Sequence, residues 1–218
     1  AQLRAALTPR TKAVVLPFPS NPTGGILERA DLEALAGVLK DTNAMVISDE
    51  IYSELSYRDR HVSIASLPGM LERTIVINGF SKSYAMTGWR LGFLIAPPDV
   101  PDLAEGVKKV HDFLTVGAPA PLQEAVIPGL EFGQDYYDDL LAKYTHKKDL
   151  FLKGLDDLHI SHNDPEGAYY VLLDIREYGY ESDLQFCKNL AREVGVGAVP
   201  GSSFFREPVN HLIRLHFA

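Results

Sequence analysis

The sequence has very little cysteine, since only Cys187 occurs in 218 residues. A single thiol excludes an internal disulfide framework and favours a reducing compartment, so we expect a cytoplasmic protein. There is no block of basic residues either, and 21 Lys and Arg stand against 29 Asp and Glu for a net charge of -8. Nucleic acid is therefore not an expected partner. No apolar run approaches the roughly 20 residues of a membrane span, so no membrane is expected.

What the sequence does contain is the composition of a globular protein, with 46% hydrophobic and 23% charged residues. Short apolar runs alternate with helical patterns in its first half. These runs predict strands at 13–16, 45–48, 74–78 and 91–95. Continuous apolar strands between helices are typical of an α/β domain with a mainly parallel, buried sheet.

The second half has a different pattern, which predicts a smaller α+β unit. Helices are predicted at 101–110, 121–130, 135–158 and 182–194, and strands at 168–174, 196–199 and 212–217. We expect a large domain over 1–147 and a smaller one over 148–218, with the boundary inside the long helix. The chain starts without an initiator methionine and stops directly after a strand-like run, so we expect a fragment.

Polar side chains follow three of the predicted strands, where open parallel sheets bind their ligands. Asn21 follows the first strand, Asp49 and Tyr52 follow the second, and Lys82 follows the third. These strand ends point at one crevice, so we expect the four side chains to lie near one another.

The residue types suit a phosphorylated pyridine ring that carries an aldehyde, which is pyridoxal 5'-phosphate. Lys82 can bond the aldehyde and later move a proton as the free amine. Asp49 can keep the pyridine nitrogen protonated, because an opposite charge within about 4–6 Å favours the charged form. Asn21 and Tyr52 can hydrogen-bond the phenolic oxygen of the ring.

Two arginines and a serine can hold the anionic groups. Ser81 and Arg90 can bind the phosphate, Arg90 as a planar bidentate fork. Arg214 can bind a substrate α-carboxylate in the same way, and Asn21 is also expected to contact the substrate. Simpler roles exist for most of these positions: a solvated lysine, a helix cap at Asp49, a turn former at Asn21, core packing of Tyr52 or a surface charge at Arg214. The seven histidines show no ligand spacing, so no metal is expected.

Three runs now identify a family. Asn-Pro-Thr-Gly at 21–24, Ser-Asp-Glu-Ile-Tyr at 48–52 and the 81–92 run from Ser-Lys to Leu-Gly resemble, in this order, the class I/II aminotransferases of the fold-type I pyridoxal-phosphate enzymes. The resemblance extends over all 218 residues and includes the runs at 165–170 and 200–204. Together these motifs are highly specific, although the first or second alone is a weak signal.

The resemblance implies roles for individual residues. Lys82 takes the position of the Schiff-base lysine, Asp49 that of the ring-nitrogen partner, and Arg214 that of the arginine that binds the substrate carboxylate. Two positions depart from the pattern: Gly79 stands where some members carry a serine, and Phe205 stands where glycine is common.

The resemblance also implies partners and a reaction. The expected substrates are an amino acid and a 2-oxo acid, and the expected assembly is a homodimer. In the family, a preceding segment supplies the ring that stacks on the cofactor, so we expect the 218-residue chain alone to be inactive. A carbon–sulfur β-lyase and a non-catalytic effector domain of a transcriptional regulator remain as alternatives. Aspartate, aromatic and broad-range amino donors all stay open.

Overall fold

The structure is a computed structural model that describes residues 1–218, apart from the side chain of Pro101. The strands are β1 (Ala13–Pro17), β2 (Met45–Asp49), β3 (Thr74–Gly79), β4 (Gly92–Ile95), β5 (Tyr170–Asp174), β6 (Val199–Pro200) and β7 (Leu212–His216). The helices are α1 (Gln2–Ala6), α2 (Arg29–Leu39), α3 (Phe80–Ser83), α4 (Pro101–Thr115), α5 (Ala120–Leu130), α6 (Gln134–Asp157) and α7 (Asp183–Asn189). Short 3-10 turns connect several of them.

The strands form two sheets. The first has the order β1-β2-β3-β4, in which β1, β2 and β3 are parallel and β4 is antiparallel to β3. The second is antiparallel, with the order β5-β7-β6. The prediction of a mainly parallel sheet followed by a smaller α+β unit is therefore confirmed.

Strands β3 and β4 approach each other closely at two glycines. Gly79 at the end of β3 pairs with Gly92 at the start of β4. A Cβ atom on Gly79 would lie 3.0 Å from the Gly92 Cα, which is tighter than most real Cβ contacts. A side chain at position 79 would therefore require the neighbouring backbone to shift, which gives a physical reason for glycine there.

Two predicted element boundaries were wrong by three residues or more. Helix α4 continues to Thr115, five residues beyond its predicted end. The helix predicted at 182–194 has the predicted extent, as an α-helix to Asn189 and then as a π-turn over Leu190–Val194, and Gly195 follows it with φ 78°. After Gly195, which has a left-handed backbone, the chain pairs with β7 only from Val199 onward. Strand β6 is therefore Val199–Pro200 and not 196–199.

The division at residue 147 stays a prediction. Helix α6 runs through this position without a break and is 24 residues long. The first sheet precedes it in the chain and the second sheet follows it. Of the described helices, none combines the length and the apolar character that crossing a bilayer requires.

Separate apolar clusters support the two sheets. The first lies between the parallel sheet and α2 and contains Leu16, Leu32, Leu39, Ala44, Val46, Ile64, Leu67 and Met70. The second lies between the antiparallel sheet and helices α6 and α7 and contains Leu155, Val171, Leu173, Ile175, Cys187 and Ile213. Both clusters contain residues from strands and from helices, so each sheet is stabilised by the helices packed on it.

The parallel sheet is covered on one face at β1 and β2, and its other face is open. Leu16 and Val46 are buried against α2. On the opposite face, the exposed fractions of Val15, Ile77 and Leu94 are 59%, 38% and 39%. Strands that are apolar on both faces are typical of sheets covered on both sides.

Candidate functional site

The end of β2 carries two adjacent carboxylates that point in different directions. Asp49 is the last residue of the strand and is half-buried. Its Oδ1 accepts a hydrogen bond from the Ile51 N–H at 3.2 Å. Successive strand residues point to opposite faces of a sheet, so the carboxylates of Asp49 and Glu50 lie on opposite sides.

Glu50 is buried and its carboxylate is occupied by groups within the fold. Its Oε1 accepts hydrogen bonds from Ser48 Oγ at 2.9 Å and from Ser63 Oγ at 2.7 Å. His61 Nε2 lies 3.1 Å from the other oxygen, at ion-pair distance but outside hydrogen-bond geometry. Burial raises the pKa of Glu50, but the His61 ring and the two serine hydroxyls outweigh it and lower the pKa. Glu50 therefore anchors the strand end, and Asp49 is the carboxylate that remains on the side of the parallel sheet away from α2.

Lys82 lies in α3, directly after β3, and its ammonium is held among tyrosines. Its Nζ donates a hydrogen bond to the Tyr169 hydroxyl at 2.8 Å. The same atom lies 5.5 Å from the ring centre of Tyr52 and 5.4 Å from that of Tyr169. A cation at this distance from an aromatic face is attracted by the ring. The lysine is thus half-buried with a defined set of neighbours.

Tyr52 is buried, with 6% of its surface exposed. Its hydroxyl and that of Tyr170 form a hydrogen bond of 2.9 Å. Burial, together with this hydrogen bond, raises the pKa of Tyr52 far above its usual value. Burial also raises the pKa of Tyr170. Burial therefore opposes the ionisation of both phenols, and each hydroxyl can donate a hydrogen bond.

Arg214 lies on β7 and points at the turn that contains Asn21. Its Nη1 donates a hydrogen bond to Asn21 Oδ1 at 2.6 Å. Its guanidinium carbon lies 4.3 Å from the ring centre of Tyr170 and 4.7 Å from that of Phe204. Two aromatic rings and an amide therefore fix the orientation of this arginine, which leaves other N–H groups of its fork available for a ligand.

Ser81 and Arg90 lie on neighbouring turns at the end of the β3–β4 pair. Ser81 is half-buried in α3, one residue before Lys82. Arg90 is exposed, adopts a left-handed backbone with φ 55°, and donates a hydrogen bond from Nη1 to the Thr87 carbonyl at 2.9 Å. The β3–β4 pairing places both residues next to the lysine turn.

The structure joins four of the predicted site residues by contacts. Asn21, Tyr52, Lys82 and Arg214 are connected through the tyrosine pair at 169–170. The other three, Asp49, Ser81 and Arg90, lie at adjacent strand ends. Among the described residues, no side-chain hydrogen bond connects those three to the contact group.

Two glycines allow the second half of the chain to reach the site. Gly24 has φ 69°, and a Cβ atom there would lie 2.5 Å from Pro165 Cβ. A Cβ atom on Gly167 would lie 2.6 Å from Pro19 Cβ. The Gly24 carbonyl accepts hydrogen bonds from the N–H groups of Glu166 at 2.9 Å and Gly167 at 2.8 Å. This close approach holds the segment before β5 against the Asn21 turn.

Sequence reasoning missed three aromatic residues that complete this group. Tyr169 contacts Lys82, Tyr170 contacts both Tyr52 and Arg214, and Phe204 stacks on Arg214. The runs at 165–170 and 200–204 were assigned to family motifs without a role in the site. The signal for the first two was an aromatic pair at the start of a buried strand, two residues after Gly167.

Comparison with known proteins identifies relatives that are named as aminotransferases. The family description "Aminotransferase class I and II" matches residues 1–218. The "Probable N-acetyl-LL-diaminopimelate aminotransferase" of Bacillus subtilis is 43% identical over 215 residues, which are 98% of this chain and 52% of that protein. The methionine aminotransferase of Escherichia coli is 35% identical over 219 residues, covering 100% of this chain and 56% of that protein.

A solved structure agrees with these matches. The N-succinyldiaminopimelate aminotransferase of Mycobacterium tuberculosis superposes with a TM-score of 0.91 at 35% identity, covering 99% of this chain and 56% of that one. The chain spans about half the length of the relatives that it matches. The match over its full length and the shared fold show that this chain belongs to the class I and II aminotransferase family.

Proposed function

We propose that the whole protein is a pyridoxal-phosphate-dependent aminotransferase that moves an amino group between an L-amino acid and a 2-oxo acid. The observation that carries the proposal is the continuous set of contacts from Lys82 to Arg214. It places an amine that can react with a carbonyl in the same group as a guanidinium that can bind a carboxylate. An α-amino acid and a 2-oxo acid share a carboxylate directly next to the reacting carbon.

The donor set fits pyridoxal 5'-phosphate. Lys82 supplies an amine for the aldehyde, and Asp49 supplies an anion for the pyridine nitrogen. Tyr52 supplies a neutral hydroxyl donor for the phenolic oxygen, because its raised pKa keeps it protonated. Arg90 gives one N–H to Thr87, and the remaining N–H groups of its fork can meet a phosphate together with Ser81. When bound, the cofactor supplies an electron sink next to the α-carbon of the substrate.

The residues of the chain then have separate tasks. Arg214 binds the substrate carboxylate and is kept in place by Asn21, Tyr170 and Phe204. Lys82 would remove the proton from the α-carbon of the donor amino acid through its Nζ and pass it to the bound cofactor, so that the donor leaves as a 2-oxo acid. In the second half-reaction the same Nζ would deliver a proton to the α-carbon of the acceptor. The orientation that Arg214 gives the substrate matters, because the proton on the α-carbon must point at the Lys82 amine to be removed.

The proposal extends to partners and location. The named relatives are aminotransferases for diaminopimelate derivatives and for methionine, which supports an amino acid donor for this protein. A homodimer and a cytoplasmic location are part of the same proposal, with no nucleic acid and no membrane among the partners. The net charge of -8 supports the absence of nucleic acid.

A half-reaction with the whole protein tests the function. An L-amino acid added without any oxo acid should be converted to its 2-oxo acid in an amount equal to the protein, and then conversion should stop. Addition of a 2-oxo acid should restart it. Continuous release of pyruvate and ammonia would show a lyase, and no conversion at all would show a non-catalytic protein; either result contradicts the proposal. The 218-residue chain alone is the inactive control.

Replacement of Arg214 by lysine should weaken the binding of both substrates. Lysine keeps the positive charge but loses the planar fork, so we expect the KM of the amino acid and of the oxo acid to rise about 10–100-fold. Cofactor binding should change little. The matched control is Arg206→Lys, because Arg206 is exposed in the same part of the chain. Unchanged KM values for both substrates would rule out Arg214 as the carboxylate site.

A further inference from the structure

The hydroxyl of Tyr169 meets the amine on which the proposed reaction depends. We propose that Tyr169 holds the free amine of Lys82 in its working position whenever that amine is not bonded to another group. The inference rests on the proposed function and assigns a role to a residue outside the predicted site. Its direct observation is the 2.8 Å hydrogen bond between Lys82 Nζ and the Tyr169 hydroxyl.

The Tyr169 ring is restrained by three other tyrosines. Tyr52 meets it edge-on, with ring centres 5.3 Å apart and planes at 87°. Tyr144 stacks on it at 5.8 Å and 20°, and Tyr170 lies 4.7 Å away. Aromatic pairs in such arrangements favour a fixed geometry. The hydroxyl therefore has a defined position, which a flexible surface tyrosine would lack.

The backbone that carries Tyr169 is also restrained. The preceding residue, Ala168, is fully buried and donates its N–H to the Leu55 carbonyl at 2.8 Å. Gly167 is held against the carbonyl of Gly24 in the Asn21 turn. On the other side, the Tyr169 carbonyl accepts the Phe217 N–H at 3.2 Å. The same segment thus sets the place of Tyr169 against Lys82 and that of Tyr170 against Arg214.

A tyrosine hydroxyl has a chemical property that suits this position. It accepts a hydrogen bond from a protonated amine and donates one to an unprotonated amine. An ionised carboxylate can only accept, so it would favour the protonated form alone. With Tyr169 as its partner, Lys82 can gain and lose a proton at Nζ while it keeps one hydrogen bond and one position.

Tyr169→Phe separates this role from simple packing, because it removes the hydroxyl and keeps the ring. The matched control is Tyr144→Phe, which removes a hydroxyl from the ring stacked on Tyr169. The first measurement uses the whole protein without cofactor and follows the labelling of Lys82 by trinitrobenzenesulfonate with peptide mapping. We expect labelling about tenfold faster in Tyr169→Phe, because the hydrogen bond no longer restrains the amine. Tyr144→Phe should label at the wild-type rate.

The second measurement compares the kinetic constants of the same variants. Tyr169→Phe should lower kcat about tenfold and leave KM near its wild-type value, since the substrate is bound elsewhere. Labelling of Tyr169→Phe at the wild-type rate, or an unchanged kcat in this variant, would overturn the inference. The proposed function would still stand if the wild-type protein transfers amino groups. If the wild-type protein transfers no amino group, the proposed function fails, and the labelling rates alone decide whether Tyr169 holds the amine.

Discussion

Replacement of Lys82 by alanine should abolish amino transfer by the whole protein. Under the proposed function, the substitution removes both the amine that would bond the cofactor and the base that would move the substrate proton. A positioned acid–base group contributes up to about 10⁴-fold, so we expect kcat to fall by at least that factor. The fold should be retained, because Lys82 is half-buried on a four-residue helix and its loss leaves the apolar clusters intact.

The covalent role of Lys82 has a separate measurement. Borohydride reduction of the wild-type holoenzyme, followed by peptide mapping, should place the cofactor on the peptide that contains Lys82. Lys153→Ala is the matched control, because Lys153 is exposed on α6 and pairs with Asp157 in its own helix. Cofactor found on another lysine, or near-normal turnover by Lys82→Ala, would show that this assignment is wrong.

Replacement of Asp49 by asparagine should lower kcat on the order of a thousandfold. The variant keeps the shape of the side chain but removes the negative charge that, under the proposed function, would hold a proton on the pyridine nitrogen. A loss of about 4 kcal/mol corresponds to this factor, since about 1.4 kcal/mol is tenfold in rate. Cofactor should remain bound, because the lysine and the phosphate-binding residues are unchanged. Absorbance of the purified variant measures retention, and steady-state kinetics measure the loss.

Asp49→Glu and Asp41→Asn complete this experiment. Asp49→Glu restores the charge at a longer reach and should recover part of the rate. Asp41 is exposed beyond the end of α2, so Asp41→Asn should behave as the wild type. A thousandfold loss of turnover in Asp41→Asn, or normal turnover in Asp49→Asn, would contradict the role of Asp49.

The two carboxylates of Asp49 and Glu50 show what the structure adds to a sequence motif, because it shows which of them is free to bind a ligand. The sequence places both after one strand, and strand alternation predicts that they diverge. The structure shows that Glu50 is used internally by Ser48, Ser63 and His61. Substitution of Glu50 would therefore disturb the strand end itself, whereas substitution of Asp49 removes a charge with one local backbone contact.

Much of the fold was predictable because it depends on local pattern. Apolar runs gave β1, β2 and β3 within a residue or two, and the 3–4 spacing gave the long helix α6. The π-turn after Asn189 and the late start of β6 were not predictable in this way. The start of β6 depends on where β7 lies, because the two strands pair, and β7 in turn pairs with β5.

The sequence by itself determined the family, the mainly parallel sheet and the polar residues at the strand ends, because each is carried by residues close together in the chain. Only the tertiary structure decided which residues meet. Arg214 reaches Asn21 across 193 positions, and Tyr169 reaches Lys82 across 87. Both contacts require Gly24 and Gly167 to let two backbone segments approach more closely than any side chain allows. Such an approach depends on packing between distant segments, which no local pattern of apolar and polar residues encodes.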